Sequence, residues 1–287
     1  MTNQELLEAY KNTASKKPYE LSENTIKTYI TNIEYLIEFL NKNICEITNK
    51  DIRRYLLSLD VSDSTYNIRL SSFKSLYEIL KYNPDTEDLI VVDPTNGLTK
   101  VKESKKKKTP LTREEQKIII KNCKNIRDKA IFTTLISTGL RIHELINLTL
   151  EQYENRDEKN KIYLTVNKGS YNDEYIYIDK DTEKVIDEYL KTRKLGCKYL
   201  FVSNGGKQMD RTCVSRTLKT IARRSGEIDE SRIMQFSNHL LRHTKATNMV
   251  EDNVPIDIIA RTLRHHGLGV VMTYVDTSDE RLIEANK

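Results

Sequence analysis

At 287 residues the chain is long enough for two domains, each able to bury its own core. Its 47 Lys+Arg stand against 42 Asp+Glu, and its four cysteines, Cys45, Cys123, Cys197 and Cys213, lie far apart, which argues against a disulfide scaffold or a zinc ribbon. No window is apolar enough to span a bilayer and the first twenty residues hold no apolar leader, so a soluble cytoplasmic chain with reduced thiols and no membrane partner is expected.

The charge is unevenly spread. Residues 1–104 hold 13 basic and 16 acidic side chains, whereas 105–287 hold 34 and 26, so the halves carry −3 and +8. A polyanionic partner is therefore expected to be held chiefly by the C-terminal part.

In chain order, Ile26, Ile30, Ile33, Ile37 and Leu40 fall on one helical stripe with Ser22 as its N-cap. Asn49-Lys50-Asp51-Ile52 opens a short helix running to about Leu59, and Tyr66, Leu70, Phe73, Tyr77 and Leu80 repeat the helical spacing after Ser64. This N-terminal helical bundle ends in the turn residues Asp93-Pro94-Thr95-Asn96-Gly97. Lys105, Lys106, Lys107 and Lys108 form an unbroken cationic run that cannot pack into a core, and so reads as a linker, either a solvated tether or a strap across a phosphate backbone.

A new helix is expected from Arg113 after Thr112, with further helices to residue 150 and a stop at Gly139 between a helix from Arg127 and one from Arg141. Residues 161–167 and 174–179 alternate apolar and polar side chains about a Gly-Ser-Tyr-Asn-Asp turn, the pattern of a β-hairpin, and helices resume from Asp181. There is no internal repeat.

Chemistry concentrates in three segments. The first, Thr138-Gly139-Leu140-Arg141-Ile142-His143-Glu144, sets Arg141 at a helix start, where backbone N–H groups and the positive dipole end favour a phosphate and a guanidinium could grip two of its oxygens. In the second, His239-Leu240-Leu241-Arg242-His243, His239 and Arg242 share a helix face, while His243 diverges by ~100° and reads as structural. The third runs from His265 to Tyr274. All five histidines lie in or beside these segments.

A zinc site is the rival reading, since His239 and His243 are four apart on one helix. Against it, Leu240 stands where a metalloprotease motif has glutamate, and Arg242 between the histidines repels a metal ion and attracts a phosphate.

Arg141, Lys168, His239, Arg242, His265 and Tyr274, in that order, resemble the active site of the tyrosine recombinases, the phage integrase and Xer-type enzymes, and the resemblance covers most of the chain. It implies a mainly α fold of the DNA breaking-rejoining kind: a helical, SAM-like core-binding domain over 1–104, a basic linker over 105–110, and a mostly helical catalytic domain with a small β-hairpin over 111–287. It further implies a site-specific recombinase or integrase serving a mobile element or a chromosome, which needs neither metal nor ATP nor any other cofactor.

By the same resemblance Tyr274 is the nucleophile, Lys168 the general acid, and Arg141, Arg242, His239 and His265 stabilise the phosphorane, with Glu144 supporting Arg141. The implied partners are duplex DNA carrying a recombination site, three further copies of the chain in a tetramer, and accessory DNA-bending proteins. A type IB topoisomerase and a DNA-binding protein without cleavage are the alternatives. The chain departs from the family pattern at Arg264, where a small residue is usual, and in the acidic Asp173 and Glu174 that follow Lys168-Gly169.

Overall fold

The computed structural model describes residues 1–103, 109–164 and 174–264. The chain divides into two compact units, Met1–Lys106 and Lys107–Lys287.

The first unit is built from α1 (Asn3–Ala14), α2 (Glu23–Leu40), α3 (Asn49–Leu57) and α4 (Asp63–Lys81). Each of the four starts where a Ser or Thr side chain accepts a backbone N–H three residues on, from Thr2, Ser22, Thr48 and Ser62. The apolar stripes expected from the spacing are buried: Ile26, Ile33 and Leu40 of α2 meet Leu70, Phe73, Tyr77 and Leu80 of α4 in one core. Two boundaries differ from expectation. Helix α4 begins two residues early because the hydroxyl of Ser62, not Ser64, caps it, and α3 stops at Leu57 because the Ser58 hydroxyl donates back to the Tyr55 carbonyl at 2.7 Å.

The second unit begins with α5 (Arg113–Lys121), capped by Thr112, and α6 (Ile126–Thr138). It continues through α7 (Ile142–Asn147), α8 (Leu150–Glu154), a hairpin of β1 (Lys161–Tyr163) and β2 (Tyr175–Tyr177), and α9 (Lys180–Leu190). The remaining helices are α10 (Arg211–Ser225), α11 (Glu230–Ile233), α12 (Asn238–Glu251) and α13 (Ile256–Thr262). The strands pair antiparallel with Ile162 opposite Ile176, both buried, while Tyr163 and Tyr177 face solvent. The second strand is shorter than the alternation suggested, since Asp179 caps α9 by accepting the Thr182 N–H at 2.7 Å and so starts the helix at Lys180. The turn between the strands, with Lys168, lies outside the described residues, as does the lysine run at 105–108.

Helix α6 is the axis of this unit and packs against α5, α9 and α12. Helix α12 is fixed to α5 and the residues before it by direct hydrogen bonds. The buried side-chain amides of Gln116 and Asn248 exchange two hydrogen bonds, at 3.2 and 2.9 Å, and the Leu111 N–H donates to the Thr244 hydroxyl at 2.9 Å. Where the chain enters the unit, Arg232 donates to the carbonyls of Thr109 and Pro110 and makes a two-armed ion pair with Glu115. Among the described residues no helix is long and apolar enough to cross a membrane.

Candidate active site

The first of the three chemical segments is set by the end of α6. Gly139 caps that helix with φ +63°, its N–H donating to the Leu135 carbonyl at 3.0 Å. The Thr138 hydroxyl accepts the next N–H, from Leu140, at 3.3 Å. The chain thus reverses within two residues and delivers Arg141 to the N-cap of α7.

Arg141 does not lie inside the helix, and its own N–H is not open to a phosphate. The Glu144 carboxylate accepts that N–H at 2.7 Å and, with its other oxygen, the Arg141 guanidinium at 2.6 Å. A carboxylate in the first turn also answers the helix dipole, so the anion expected at this helix start is already supplied from within the chain. What remains for a ligand is the guanidinium edge, its side chain being 32% exposed.

Burial alone would push the Glu144 carboxyl up. The Arg264 guanidinium and the N–H and guanidinium of Arg141 outweigh it, and the net shift is below the ordinary carboxylate value. Glu144 therefore stays charged at neutral pH.

The second segment lies on α12. His239 is exposed in the first turn, and Arg242 one turn later is 1% exposed. Arg242 donates from Nη1 to the Gly139 carbonyl at 2.9 Å and from Nη2 to the Leu263 carbonyl. Both of these acceptors are backbone carbonyls, so the place of the guanidinium is fixed by the turns that carry them. His243 meets the Thr247 hydroxyl through Nδ1 at 3.4 Å. Among the described residues no three His, Cys, Asp or Glu side chains stand together as a metal site.

The two arginines converge on the same turn from opposite sides. Arg242 reaches the carbonyl of Leu263, and Arg141 donates from Nη2 to the carbonyl of Arg264 at 3.0 Å. These are the last two described residues, directly before His265 in sequence. Sequence spacing could not have shown this clasp, because its acceptors are backbone atoms. Arg264 closes it, donating to Glu144 at 2.7 Å. His265, Tyr274 and Lys168, together with the lysine run, lie outside the described residues.

Two guanidiniums, one partly open and one buried, are thus held around one turn. A model of the phage integrase family matches residues 109–281, and one of the phage integrase N-terminal SAM-like domain matches residues 6–86. Tyrosine recombinase XerA of Pyrococcus horikoshii is 30% identical over 267 residues, covering 92% of this chain and 87% of its own. Tyrosine recombinase XerC of Leptospira interrogans is 26% identical over 280 residues, covering 92% and 86%. The crystal structure of the XerH site-specific recombinase bound to a palindromic difH substrate, a post-cleavage complex, matches in fold with a TM-score of 0.74 at 17% identity, over 99% of this chain and 84% of that one. With a family match over more than half its length and relatives alike along nine-tenths of it, the chain belongs to the phage integrase family, the tyrosine recombinases.

Proposed function

We propose that the chain is a site-specific recombinase that cuts and rejoins duplex DNA through a 3′-phosphotyrosyl intermediate. The observation that carries this reading is the shared grip of Arg141 and Arg242 on consecutive carbonyls, which holds two cations around one turn. Positive groups fixed in advance stabilise charge as it develops, at no cost in reorganisation.

In this reading the scissile phosphate sits against Arg141, Arg242, His239 and His265. The Tyr274 phenol gives its proton to a neighbouring imidazole as its oxygen attacks phosphorus, the bond to the 5′ oxygen breaks, and Lys168 gives that oxygen a proton. The phosphotyrosyl link conserves the energy of the broken bond, so a 5′ hydroxyl from a second duplex can attack it and restore DNA without ATP. Residues 1–104 act as the core-binding domain and 111–287 as the catalytic domain, with Lys105 to Lys108 lying along the backbone between them. Exchange between two duplexes calls for four active sites, hence a tetramer on DNA, with accessory bending proteins where the site demands them. The setting is the cytoplasm, where such DNA is met.

The test is covalent capture. Protein incubated with a nicked duplex library and then denatured is expected to retain DNA at a reproducible sequence, joined through Tyr274. Tyr274→Phe is expected to bind the same duplexes and retain none after denaturation. An adduct that survives in this variant removes Tyr274 from the role.

A further inference from the structure

Arg264 stands where the family pattern has a small residue, and its backbone explains why a small residue would suit: φ is +52°, in the left-handed region that glycine enters without strain. An arginine here is nonetheless 8% exposed, and its Nε finds no acceptor among the described residues. A strained backbone and an unpaired buried donor persist only where the surroundings hold them, which turns attention to what the side chain does.

Its guanidinium does two things. Nη1 donates to the Thr262 carbonyl at 2.9 Å, and Nη2 donates to Glu144 Oε2 at 2.7 Å. That same oxygen accepts the Arg141 N–H, while the other oxygen holds the Arg141 guanidinium. Meanwhile the Arg264 carbonyl accepts Arg141 Nη2 at 3.0 Å. Arg141 and Glu144 alone would form a pair of zero net charge, with the cation's field largely cancelled by its own anchor. A second guanidinium on that carboxylate leaves the cluster at +1.

We propose that Arg264 is a positioning residue that sets both the place and the effective charge of Arg141, by sharing Glu144 with it and by offering its own carbonyl to the Arg141 guanidinium. The proposal rests on the recombinase reading above. Where the family pattern has a small residue, Arg264 thus adds one more buried cation beside Glu144.

The probe is the duplex recovered by covalent capture, made once with a normal scissile phosphate and once with a neutral methylphosphonate in its place. Arg264→Gly suits the backbone but gives up the ion pair with Glu144, so its denaturation midpoint is expected to fall, and cleavage is compared on folded, duplex-bound protein. Single-turnover cleavage of the normal phosphate is expected to slow about tenfold, less than the ~10²–10³ lost on removing a direct donor. On the methylphosphonate, which carries less charge to stabilise, the defect should shrink towards unity. Arg264→Lys retains a cation within reach of Glu144 and should recover most of the rate on the normal phosphate, which keeps the test valid if the glycine variant folds poorly.

Cleavage by Arg264→Gly within twofold of the unaltered chain would overturn the proposal, as would equal slowing on both substrates or no recovery with lysine. If the unaltered chain forms no adduct with any duplex, it is the recombinase reading that fails, and this outcome is distinct from the others.

Discussion

Arg242 Nη1 lies 2.9 Å from the carbonyl oxygen of Gly139, so the guanidinium in the second turn of α12 is held by the residue that ends α6. The close approach depends on the missing side chain. A Cβ at Gly139 would fall 2.7 Å from Leu263 Cδ2 and 3.1 Å from Lys245 Cγ, and φ there is +63°.

Gly139→Ala is accordingly expected to cost about 1–3 kcal/mol, from the strained backbone together with overpacking against the buried Leu263. Because the displaced atoms carry the carbonyls that hold Arg242, cleavage should fall further than the loss of folded protein explains. Urea denaturation and covalent-adduct yield on the same preparation separate the two effects. An alanine variant of unchanged midpoint and yield would mean that the α6 end tolerates a methyl group.

Glu144 links charge to folding. Its carboxyl titrates below the ordinary range because two arginines outweigh its burial, so the native state binds its proton more weakly than the unfolded chain does. The resulting stability is fully present above the unfolded value of about 4.3 and is lost as pH falls through the lower native value. Glu144→Gln should therefore be less stable than the unaltered chain at neutral pH by on the order of 3 kcal/mol, since two guanidiniums lose their shared counter-charge. The gap should close as the solution is acidified from pH 5 downward. Denaturation midpoints measured across that window check it, and a gap that stays constant would assign the loss to packing instead.

Much of this was legible in the sequence, and what was not has a physical pattern. The α2 and α4 stripes, the caps at Ser22 and Thr112, the stop at Gly139 and the hairpin all follow from spacing and from side chains that compete for backbone groups within three residues. Arg141, Glu144 and Arg242 could be picked out by type and order. Their attachment could not, because it runs through the carbonyls of Gly139, Leu263 and Arg264, which every residue possesses. Arg264 was visible as a departure from a pattern, but its turn towards Glu144 needed coordinates. That the Arg141 N–H at the α7 start donates to the Glu144 carboxylate likewise needed coordinates.

Thr244 is fully buried on α12, two residues after Arg242, and its hydroxyl accepts the Leu111 N–H at 2.9 Å while donating to the Leu240 carbonyl at 2.9 Å. Thr244→Val preserves shape but strands a buried N–H, at a cost of about 1–3 kcal/mol. Thr244→Ser keeps the hydroxyl and loses one methyl, about 1 kcal/mol. Valine should therefore prove the more damaging change, although it is the closer match in volume. Thermal unfolding of both variants tests this, and equal midpoints would show that Leu111 finds another acceptor.

The last prediction concerns the proton. By the family resemblance Lys168 protonates the departing 5′ oxygen, and in sequence it lies between β1 and β2, with Asp173 and Glu174 a few residues on. An alkoxide is a poor leaving group at neutral pH, whereas a thiolate leaves without a proton. Lys168→Ala should therefore cleave an ordinary phosphodiester far more slowly than the unaltered chain, yet cut a substrate with sulfur at the bridging 5′ position at close to the unaltered rate. A lysine that merely contacts a nonbridging oxygen would leave both substrates equally slow, since sulfur at the leaving position does nothing for that contact. Single-turnover cleavage of the two substrates distinguishes these cases. Absence of rescue would remove Lys168 as the acid and direct the search to the carboxyl groups of Asp173 and Glu174.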